Sequence, residues 1–217
     1  MSHPDAEQFW SGSYAAAGED YLFGITPNKF LQRQSEHLRR GMQALALADG
    51  EGRNSIWLAE QGLAVTALEL SGVALGKARR LAAAKQVQVD FLQADLFQWE
   101  WPVGAFDLIV AIFIQFAAPV ERRKMFECIQ LALKPGGLLL MQGYTPKQLE
   151  YRTGGPSAVE NLYTQTLLRE AFADMDVLEL KEHEDVLEEG SGTQRGHWGR
   201  SALLDLVARK KREPEGD

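Results

Sequence analysis

The sequence predicts a doubly wound α/β sheet that is mostly parallel, has an antiparallel final strand and carries helices on both faces. Two observations predict this fold class. Apolar, strand-like stretches alternate with helix-like stretches between residues 42 and 144. The strand-like stretches are also apolar along their whole length, which is typical of parallel strands that helices cover on both sides. Right-handed connections between such strands produce a doubly wound sheet.

The predicted elements follow one another at short spacing. Strands are predicted over residues 42–48, 63–68, 87–92, 106–113 and 138–144. Helices are predicted over residues 54–61, 71–85 and 119–133, the second capped by Ser71 and the third opened by Pro119. Residues 134–137 are expected to form a turn and residues 145–161 a loop. A helix over 162–172 and a strand pair over 175–187 and 201–209 follow.

The composition is that of an ordinary globular domain. The chain has 217 residues, of which 45% are hydrophobic, and its net charge is −7. That charge argues against nucleic acid or an anionic membrane as the default partner. The single cysteine, Cys128, forms no intrachain disulfide, and the four histidines lack the spacing of a metal site.

No apolar stretch approaches the roughly 20 residues of a spanning helix, and the polar, acidic N-terminus is unlike a signal peptide. We therefore expect a cytoplasmic protein, a monomer or homodimer, with no membrane, nucleic-acid or metal partner. The basic runs at residues 77–80 and 122–124 are expected to form solvated helix faces.

A glycine pair follows the first predicted strand. In an open α/β sheet, ligands bind at the carboxyl ends of the strands. Gly50 and Gly52 allow a sharp turn and close approach of a ligand to the backbone. The helix that follows offers unpaired N–H groups to a carboxylate or phosphate. Alone, such a pair is as often a plain turn as a ligand site.

Two acids at the next strand ends strengthen this signal. Glu69 stands 17 residues after Gly52 and can accept both hydroxyls of a ribose. Asp95 follows the third predicted strand, where it can accept from an adenine amino group or serve as a turn acid. A dinucleotide fingerprint would place a third glycine near position 55, where Ser55 stands. A nicotinamide-dependent oxidoreductase therefore remains only an alternative.

These residues resemble the class I S-adenosylmethionine-dependent methyltransferases. Residues 50–59, together with Glu69, Asp95 and residues 133–137, look like the corresponding segments of the tellurite-resistance methyltransferases. Residues 23–28 (Phe-Gly-Ile-Thr-Pro-Asn) are similar to the N-terminal segment of that family and of the thiopurine methyltransferase group. The resemblance implies a Rossmann-like fold and methyl transfer from S-adenosylmethionine, with S-adenosylhomocysteine as the product.

The resemblance also implies which residues bind the cofactor. The glycine pair would approach its methionine part, Arg53 would pair with its carboxylate, and Glu69 would bind its ribose. Leu70 would pack on the adenine, whose edge Asp95 and Leu96 would read. The implied site comprises Ala48, Gly50, Gly52, Arg53, Asn54, Glu69, Leu70, Ala94, Asp95, Leu96, Ala111 and Ile112.

Two positions depart from the pattern of the family. An Asp and then a Gly precede the glycine pair in that pattern, whereas this chain has Ala46 and Ala48. The missing acid would have ordered the loop through backbone hydrogen bonds, so weaker cofactor binding is one possible consequence. A non-catalytic S-adenosylmethionine-binding module is therefore the second alternative.

The acceptor is expected to be a small-molecule nucleophile. Methyl transfer from a sulfonium chiefly requires donor and nucleophile to lie in line at about 3 Å. A strong base is needed only for a weakly acidic, protonated nucleophile. The resemblance favours a thiol or a tellurite-like chalcogen. No catalytic residue is assigned, and the candidate acceptor pocket comprises Tyr14, Tyr21, Phe113, Gln115, Tyr144 and His197.

Three segments are predicted within one domain overall. Residues 1–40 are aromatic and are expected to form a helical segment that covers the active site. Residues 41–210 are expected to form the Rossmann-like core, and residues 211–217 a frayed tail. The sequence leaves open whether the first segment is a moving lid. It also leaves open whether Phe113 and Tyr144 line the acceptor pocket or are core side chains.

Overall fold

The computed structural model describes residues 3–187 and 199–212, and this part of the chain contains seven strands and seven α-helices. The strands are β1 Gln43–Leu47, β2 Ala64–Glu69, β3 Asp90–Gln93, β4 Phe106–Ile112, β5 Leu133–Tyr144, β6 Met175–Leu187 and β7 Gly199–Lys210. The helices are α1 His3–Ala16, α2 Lys29–Arg33, α3 Arg53–Glu60, α4 Gly72–Lys85, α5 Pro119–Ala132, α6 Gln148–Tyr151 and α7 Gln165–Ala171.

All seven strands belong to one sheet, in the order β3-β2-β1-β4-β5-β7-β6. The strands β1 to β5 pair in parallel, and β7 pairs antiparallel with both β5 and β6. The predicted fold class is therefore confirmed, including the antiparallel final strand. The strand order reverses between β1 and β4, and ligands bind in such sheets at this switch point, outside the carboxyl ends of the strands.

Helices cover both faces of the sheet, which explains why its strands lack polar alternation. On one face, Ile109 of β4 packs with buried side chains of α5 and α7, such as Phe126 and Leu168. On the other face, Leu108 packs with Leu58 of α3 and with residues of α2. Because neighbouring residues of β4 point to opposite covered faces, both positions must be apolar.

Most predicted elements agree with the structure, but several boundaries were wrong. The third strand begins at Asp90 rather than at residue 87, because the Val87 N–H still closes the end of α4 on the Ala82 carbonyl. The helix predicted over 162–172 is shorter and begins after Thr164, whose hydroxyl accepts from the Leu167 N–H. The predicted loop over 145–161 contains α6 and a short 3₁₀ helix, Val159–Asn161.

The turn predicted at residues 134–137 lies inside β5. The register between β4 and β5 shifts here, with Phe106 opposite Leu133 and Leu108 opposite Leu138. Gly136 has a φ of +80°, so the extra residues form a bulge in a continuous strand.

The first segment is helical only in part, since residues 17–28 connect α1 and α2 without regular helix. In the ranges that the structure describes, no helix has the length and apolar character needed to cross a membrane. His197 and residues 213–217 of the predicted tail lie outside the described residues.

Candidate functional site

The loop after β1 and the end of β2 meet at the switch point of the sheet. The Gly50 N–H donates to one carboxylate oxygen of Glu69 at 2.9 Å, and the Ser71 N–H donates to the other at 2.9 Å. Burial raises the pKa of Glu69, while these backbone donors act in the opposite direction. The Leu70 backbone is a further donor to this carboxylate, and the acceptor positions that the three donors leave open are available to a ligand hydroxyl.

The loop itself requires its two glycines. Gly50 and Gly52 have φ angles of +63° and +89°, in the left-handed region. A Cβ at Gly52 would lie 2.9 Å from the side chains of Ala78 and Ile56, and one at Gly50 would lie 2.8 Å from the Tyr14 hydroxyl. A side chain at either glycine would therefore strain the backbone and force neighbouring side chains to shift.

Ala48 also has a positive φ, +46°. This is the position at which the family pattern has glycine. An alanine in the left-handed region carries a strain of about 1–2 kcal/mol. The alanine thus keeps the left-handed shape of the loop, at the cost of strain in its own backbone.

Asp49 is a loop residue that the sequence pattern did not single out. Its carboxylate is buried and accepts from the Ser55 N–H at 3.2 Å and from the Ser55 hydroxyl. Its own N–H donates to the Leu68 carbonyl at 3.0 Å. Burial raises the pKa of Asp49 to about 7, although the bonds from Ser55 oppose this shift. The sequence signal that could have predicted this contact is an acid in the loop followed by a serine in the first turn of the next helix.

A buried ion pair joins the loop to α4. The Lys77 ammonium lies 2.9 Å from the Glu51 carboxylate, and both side chains are almost completely buried. Lys77 also donates to the carbonyls of Tyr14 at 2.9 Å and Asp20 at 2.6 Å. The expectation of a solvated face was wrong at Lys77, because its three protons hold the N-terminal segment against the loop. It was also wrong at Arg122, which is buried and donates to the Glu160 carbonyl.

The N-terminal segment lies directly over the loop. Tyr14 is buried, its hydroxyl faces Gly50, and its ring meets the Phe23 ring edge-on at 6.3 Å. Arg53, the candidate carboxylate partner, donates to the Phe23 carbonyl at 3.2 Å. Tyr21 is only partly buried, with its hydroxyl 3.4 Å from the Lys77 carbonyl.

A second set of polar contacts starts from Asn54 in the first turn of α3. Its side-chain oxygen accepts from the Asn28 N–H at 2.9 Å. The Asn28 amide in turn donates to Gln142 of β5 at 2.7 Å, and Gln142 donates to Asp205 of β7 at 2.6 Å. All four side chains are buried. Asn28, which belongs to the segment recognised in the sequence, therefore fixes the chain from residue 28 onward to the sheet.

Asp205 is the far end of this buried chain. Its second carboxylate oxygen accepts from Arg33 at 2.8 Å and contacts Nε2 of His183 at 2.9 Å. The bond to Asp205 is the main reason that the pKa of His183 is raised.

The segment predicted to contact adenine lies beside Glu69. The Ala94 N–H donates to the Glu69 carbonyl at 3.0 Å, which brings the end of β3 next to the end of β2. Asp95 accepts from the Phe97 N–H at 2.9 Å and from the Gln98 amide at 3.0 Å. Asp95 thus has the contacts of a turn acid. Leu70 is partly exposed, whereas Leu96 is buried in the core.

The residues predicted near the acceptor lie deeper than expected. Phe113 stacks on Tyr144 with ring centroids 4.7 Å apart, and Tyr144 is 1% exposed. The Gln115 amide donates to the carbonyls of Tyr144 and Asn161 and accepts from the Tyr144 N–H, so it fastens the end of β5. Ala111 is fully buried in the core.

The structure therefore brings one group of predicted residues together and separates another. Tyr14, Gly50, Arg53 and Glu69 surround one loop, whereas Gln115 and Tyr144 are tied into the core. An open cleft of about 740 Å³ between α4 and β3 is lined by none of the predicted site residues.

Part of the chain matches a known family. Residues 44–137 match the family model described as a methyltransferase domain. A demethylmenaquinone methyltransferase of Thermus thermophilus is 33% identical over 104 residues, which are 47% of this chain and 47% of that protein. The chain spans about half the length of the curated relatives it matches.

Solved structures share the fold. One, described under the conversion of a disulfide bond into a thioacetal group during echinomycin biosynthesis, has a TM-score of 0.78 at 16% identity. The match covers 97% of this chain and 94% of that chain. The N-methyltransferase NodS of Bradyrhizobium japonicum, in complex with S-adenosyl-L-homocysteine, has a TM-score of 0.68 at 16% identity. This match covers 94% of this chain and 97% of that chain. At such identities the likeness shows the fold alone.

Proposed function

We propose that this chain, whose residues 44–137 match a methyltransferase domain, is a class I S-adenosylmethionine-dependent methyltransferase that transfers the methyl group to a small-molecule nucleophile. The observation that carries the proposal is the Glu69 carboxylate, held at 2.9 Å by the Gly50 N–H at the switch point of the sheet. This pair lies within the matched residues 44–137.

The cofactor is S-adenosylmethionine and its product S-adenosylhomocysteine. Glu69 accepts the two ribose hydroxyls with the lone pairs that the backbone leaves open. The glycine pair gives the methionine part access to backbone, and Arg53 pairs with its carboxylate. Ala94, Asp95 and Leu96 lie at the adenine edge, beside Glu69.

The charges around the loop suit a sulfonium. Asp49, Glu51 and Glu69 are buried there, and only Glu51 has a buried lysine as its partner. Burial raises the pKa of all three acids, so part of this charge is neutralised in the free protein, and a positively charged cofactor favours their ionised forms. In the reaction the acceptor lone pair forms the new bond to the methyl carbon, and the electrons of the broken bond stay on sulfur.

Residues 1–40 cover this site in our proposal, and the contacts support it. The Tyr14 hydroxyl lies against Gly50, and Lys77 holds the carbonyls of Tyr14 and Asp20. The buried Asn28 ties the residues that follow it to α3 and β5.

The proposed acceptor is a thiol or a chalcogen oxyanion. The loop acids are engaged, Glu69 by backbone, Asp49 by Ser55 and Glu51 by Lys77. A nucleophile that ionises readily suits such a site, because it needs little help from a general base. The resemblance of residues 23–28 and 50–59 to tellurite-resistance and thiopurine methyltransferases favours the same class.

The two alternatives are less well supported. A nicotinamide dinucleotide needs close helix–strand packing at position 55, where the Ser55 side chain instead bonds to Asp49. A non-catalytic module was suggested only by Ala46 and Ala48, and the loop keeps its left-handed conformation despite both.

Calorimetry with S-adenosylhomocysteine tests the site. The parent protein should bind one equivalent with a micromolar dissociation constant. Glu69→Ala should weaken binding by about 2–4 kcal/mol, because two charged hydrogen bonds to the ribose are lost. Glu60→Ala, which removes an exposed acid on α3, is the matched control and should bind like the parent.

Methyl transfer is then measured with labelled S-adenosylmethionine and a panel of thiols, tellurite, amines and phenols. Transfer to thiols or tellurite, lost in Glu69→Ala, would support the proposed acceptor class. Transfer to amines or phenols alone would reject that class but keep the methyltransferase. Undiminished binding by Glu69→Ala would reject the site.

A further inference from the structure

The cofactor loop keeps its shape although its usual ordering acid is missing. In the family pattern that acid stands at position 46, at the end of β1. Ala46 is 1% exposed and offers no acceptor. Nevertheless three of the five residues from Ala48 to Gly52 are left-handed, a shape that needs fixed backbone contacts.

Asp49 supplies such contacts from within the loop. One carboxylate oxygen accepts from the Ser55 N–H at 3.2 Å and the other from the Ser55 hydroxyl. The Asp49 carbonyl accepts from the Gly52 N–H at 3.3 Å, and its N–H bonds to Leu68 on the neighbouring strand. The side chain thus joins the loop to the first turn of α3, while the backbone joins it to β2.

Charged groups face Asp49 from the surrounding elements. Glu69 on β2 lies close enough to raise its pKa further, and Arg53 on α3 lowers it. Asp49 in turn contributes to the raised pKa of Tyr14 on α1, as does Glu51, which is paired with Lys77 on α4. Asp49 is therefore an acid inside the site, without a counter-ion as close as that of Glu51.

We propose that Asp49 is the positioning residue of the cofactor loop, where it replaces from within the loop the acid that is absent at Ala46. This inference rests on the proposed function for its meaning, because an ordered loop is what presents the Gly50 N–H and Glu69 to the ribose. Asp49 acts through Ser55 and the loop backbone.

A stable structure alone would not need an ionisable group here. An asparagine has an oxygen that can accept from the Ser55 N–H and an amide that can donate to the Ser55 hydroxyl. The acid adds a charge beside Glu69, and burial raises its pKa to about 7. Binding of the sulfonium cofactor should therefore depend on pH through this group, whereas binding of the product, which lacks the sulfonium charge, should depend on it less.

Hydrogen exchange of the free protein tests the positioning role without any ligand. In Asp49→Ala, the amides of Gly50 and Ser55 should exchange at least tenfold faster than in the parent. Asp49→Asn should change them less than threefold, since the bonds to Ser55 persist. Thr164→Ala, which removes a comparable helix cap on α7, should leave both amides unchanged. Equal exchange in Asp49→Ala and the parent would overturn the proposal.

Binding provides the second test. Asp49→Ala should weaken S-adenosylhomocysteine binding about tenfold, and adding Ala46→Asp should restore it to within threefold of the parent. Asp49→Asn should bind the product nearly normally and show a weaker pH dependence of S-adenosylmethionine binding between pH 6 and pH 8 than the parent. Unchanged binding in Asp49→Ala, no recovery with Ala46→Asp, or an undiminished pH dependence in Asp49→Asn would contradict the proposal.

The two proposals fail in different ways. If the parent does not bind S-adenosylhomocysteine, the proposed cofactor site is wrong, while the exchange rates still decide whether Asp49 orders the loop. If the parent binds and Asp49→Ala exchanges and binds like it, the site stands and the role of Asp49 is rejected.

Discussion

The proposed cofactor side and the proposed acceptor side of the carboxyl edge are built differently. Around Gly50 and Glu69, contacts run between backbone N–H groups and buried acids. Around Phe113 and Tyr144, stacked rings and the Gln115 amide hold the end of β5 in the core. The first side is shaped to present polar groups to a ligand, whereas the second is shaped to keep strands in place.

This difference explains which sequence predictions could succeed. A left-handed φ and a Cβ that would lie 2.8–2.9 Å from neighbouring side-chain atoms favour glycine at Gly50 and Gly52, so the residue type indicates the backbone conformation. An aromatic residue at a strand end carries no comparable information. Phe113 and Tyr144 would suit an acceptor pocket, but their rings pack on each other.

The largest predicted effect on stability comes from removing the Gln115 side chain on the acceptor side. In Gln115→Ala, the Tyr144 N–H and the Asn161 carbonyl lose their partner, whereas the Tyr144 carbonyl keeps its bond from the Tyr163 N–H. Unsatisfied buried groups cost about 1–3 kcal/mol each, so we expect the free energy of unfolding to fall by about 2–4 kcal/mol. Urea denaturation measures this loss.

The same variant sharpens the comparison of the two sides. Its affinity for S-adenosylhomocysteine should stay within twofold of the parent at a temperature where both are folded. Gln130→Ala, which removes a partly buried amide that donates to the Ala171 carbonyl, is the control and should cost less than about 1 kcal/mol. A tenfold loss of affinity in Gln115→Ala would mean that the acceptor side also shapes the cofactor site.

Other parts of the structure could not be read from the sequence because they depend on which distant residues meet. Lys77 occupies a basic run typical of a solvated helix face, and only the fold brings Glu51 and the Tyr14 carbonyl to it. Likewise, nothing local indicates that Asn28 reaches Gln142, 114 residues away. The mostly parallel sheet, in contrast, followed from the apolar strands and their short helical connections.

The stability of the cofactor side should depend on pH through Asp49. Its pKa is about 7 when folded, against an ordinary value of 3.8. The folded chain therefore holds a proton that the unfolded chain has lost, and the contribution of this group to stability decreases as pH rises between these values. At about 1.4 kcal/mol per pH unit, the parent should lose about 2–3 kcal/mol between pH 5 and pH 8 relative to Asp49→Asn.

Urea denaturation of both proteins at pH 5 and pH 8 checks this prediction. Other groups titrate in both proteins, so they largely cancel from the difference. The acceptor-side variant Gln115→Ala should follow the pH dependence of the parent, because it leaves Asp49 in place. A parallel pH dependence of the parent and Asp49→Asn would show that Asp49 stays ionised in the fold.

The smallest predicted effect is a gain in stability at Ala48. Its φ of +46° costs an alanine about 1–2 kcal/mol of strain, which glycine would relieve. Glycine also raises the conformational entropy of the unfolded chain, which offsets part of this gain. Ala48→Gly should therefore raise the free energy of unfolding by about 0.5–1 kcal/mol in urea denaturation. Ala46→Gly, at a buried strand position, should lower it by at least a similar amount. If Ala48→Gly destabilises the protein, its methyl group packs well enough to outweigh the strain, and the loop is held by side-chain contact as well as by its hydrogen bonds.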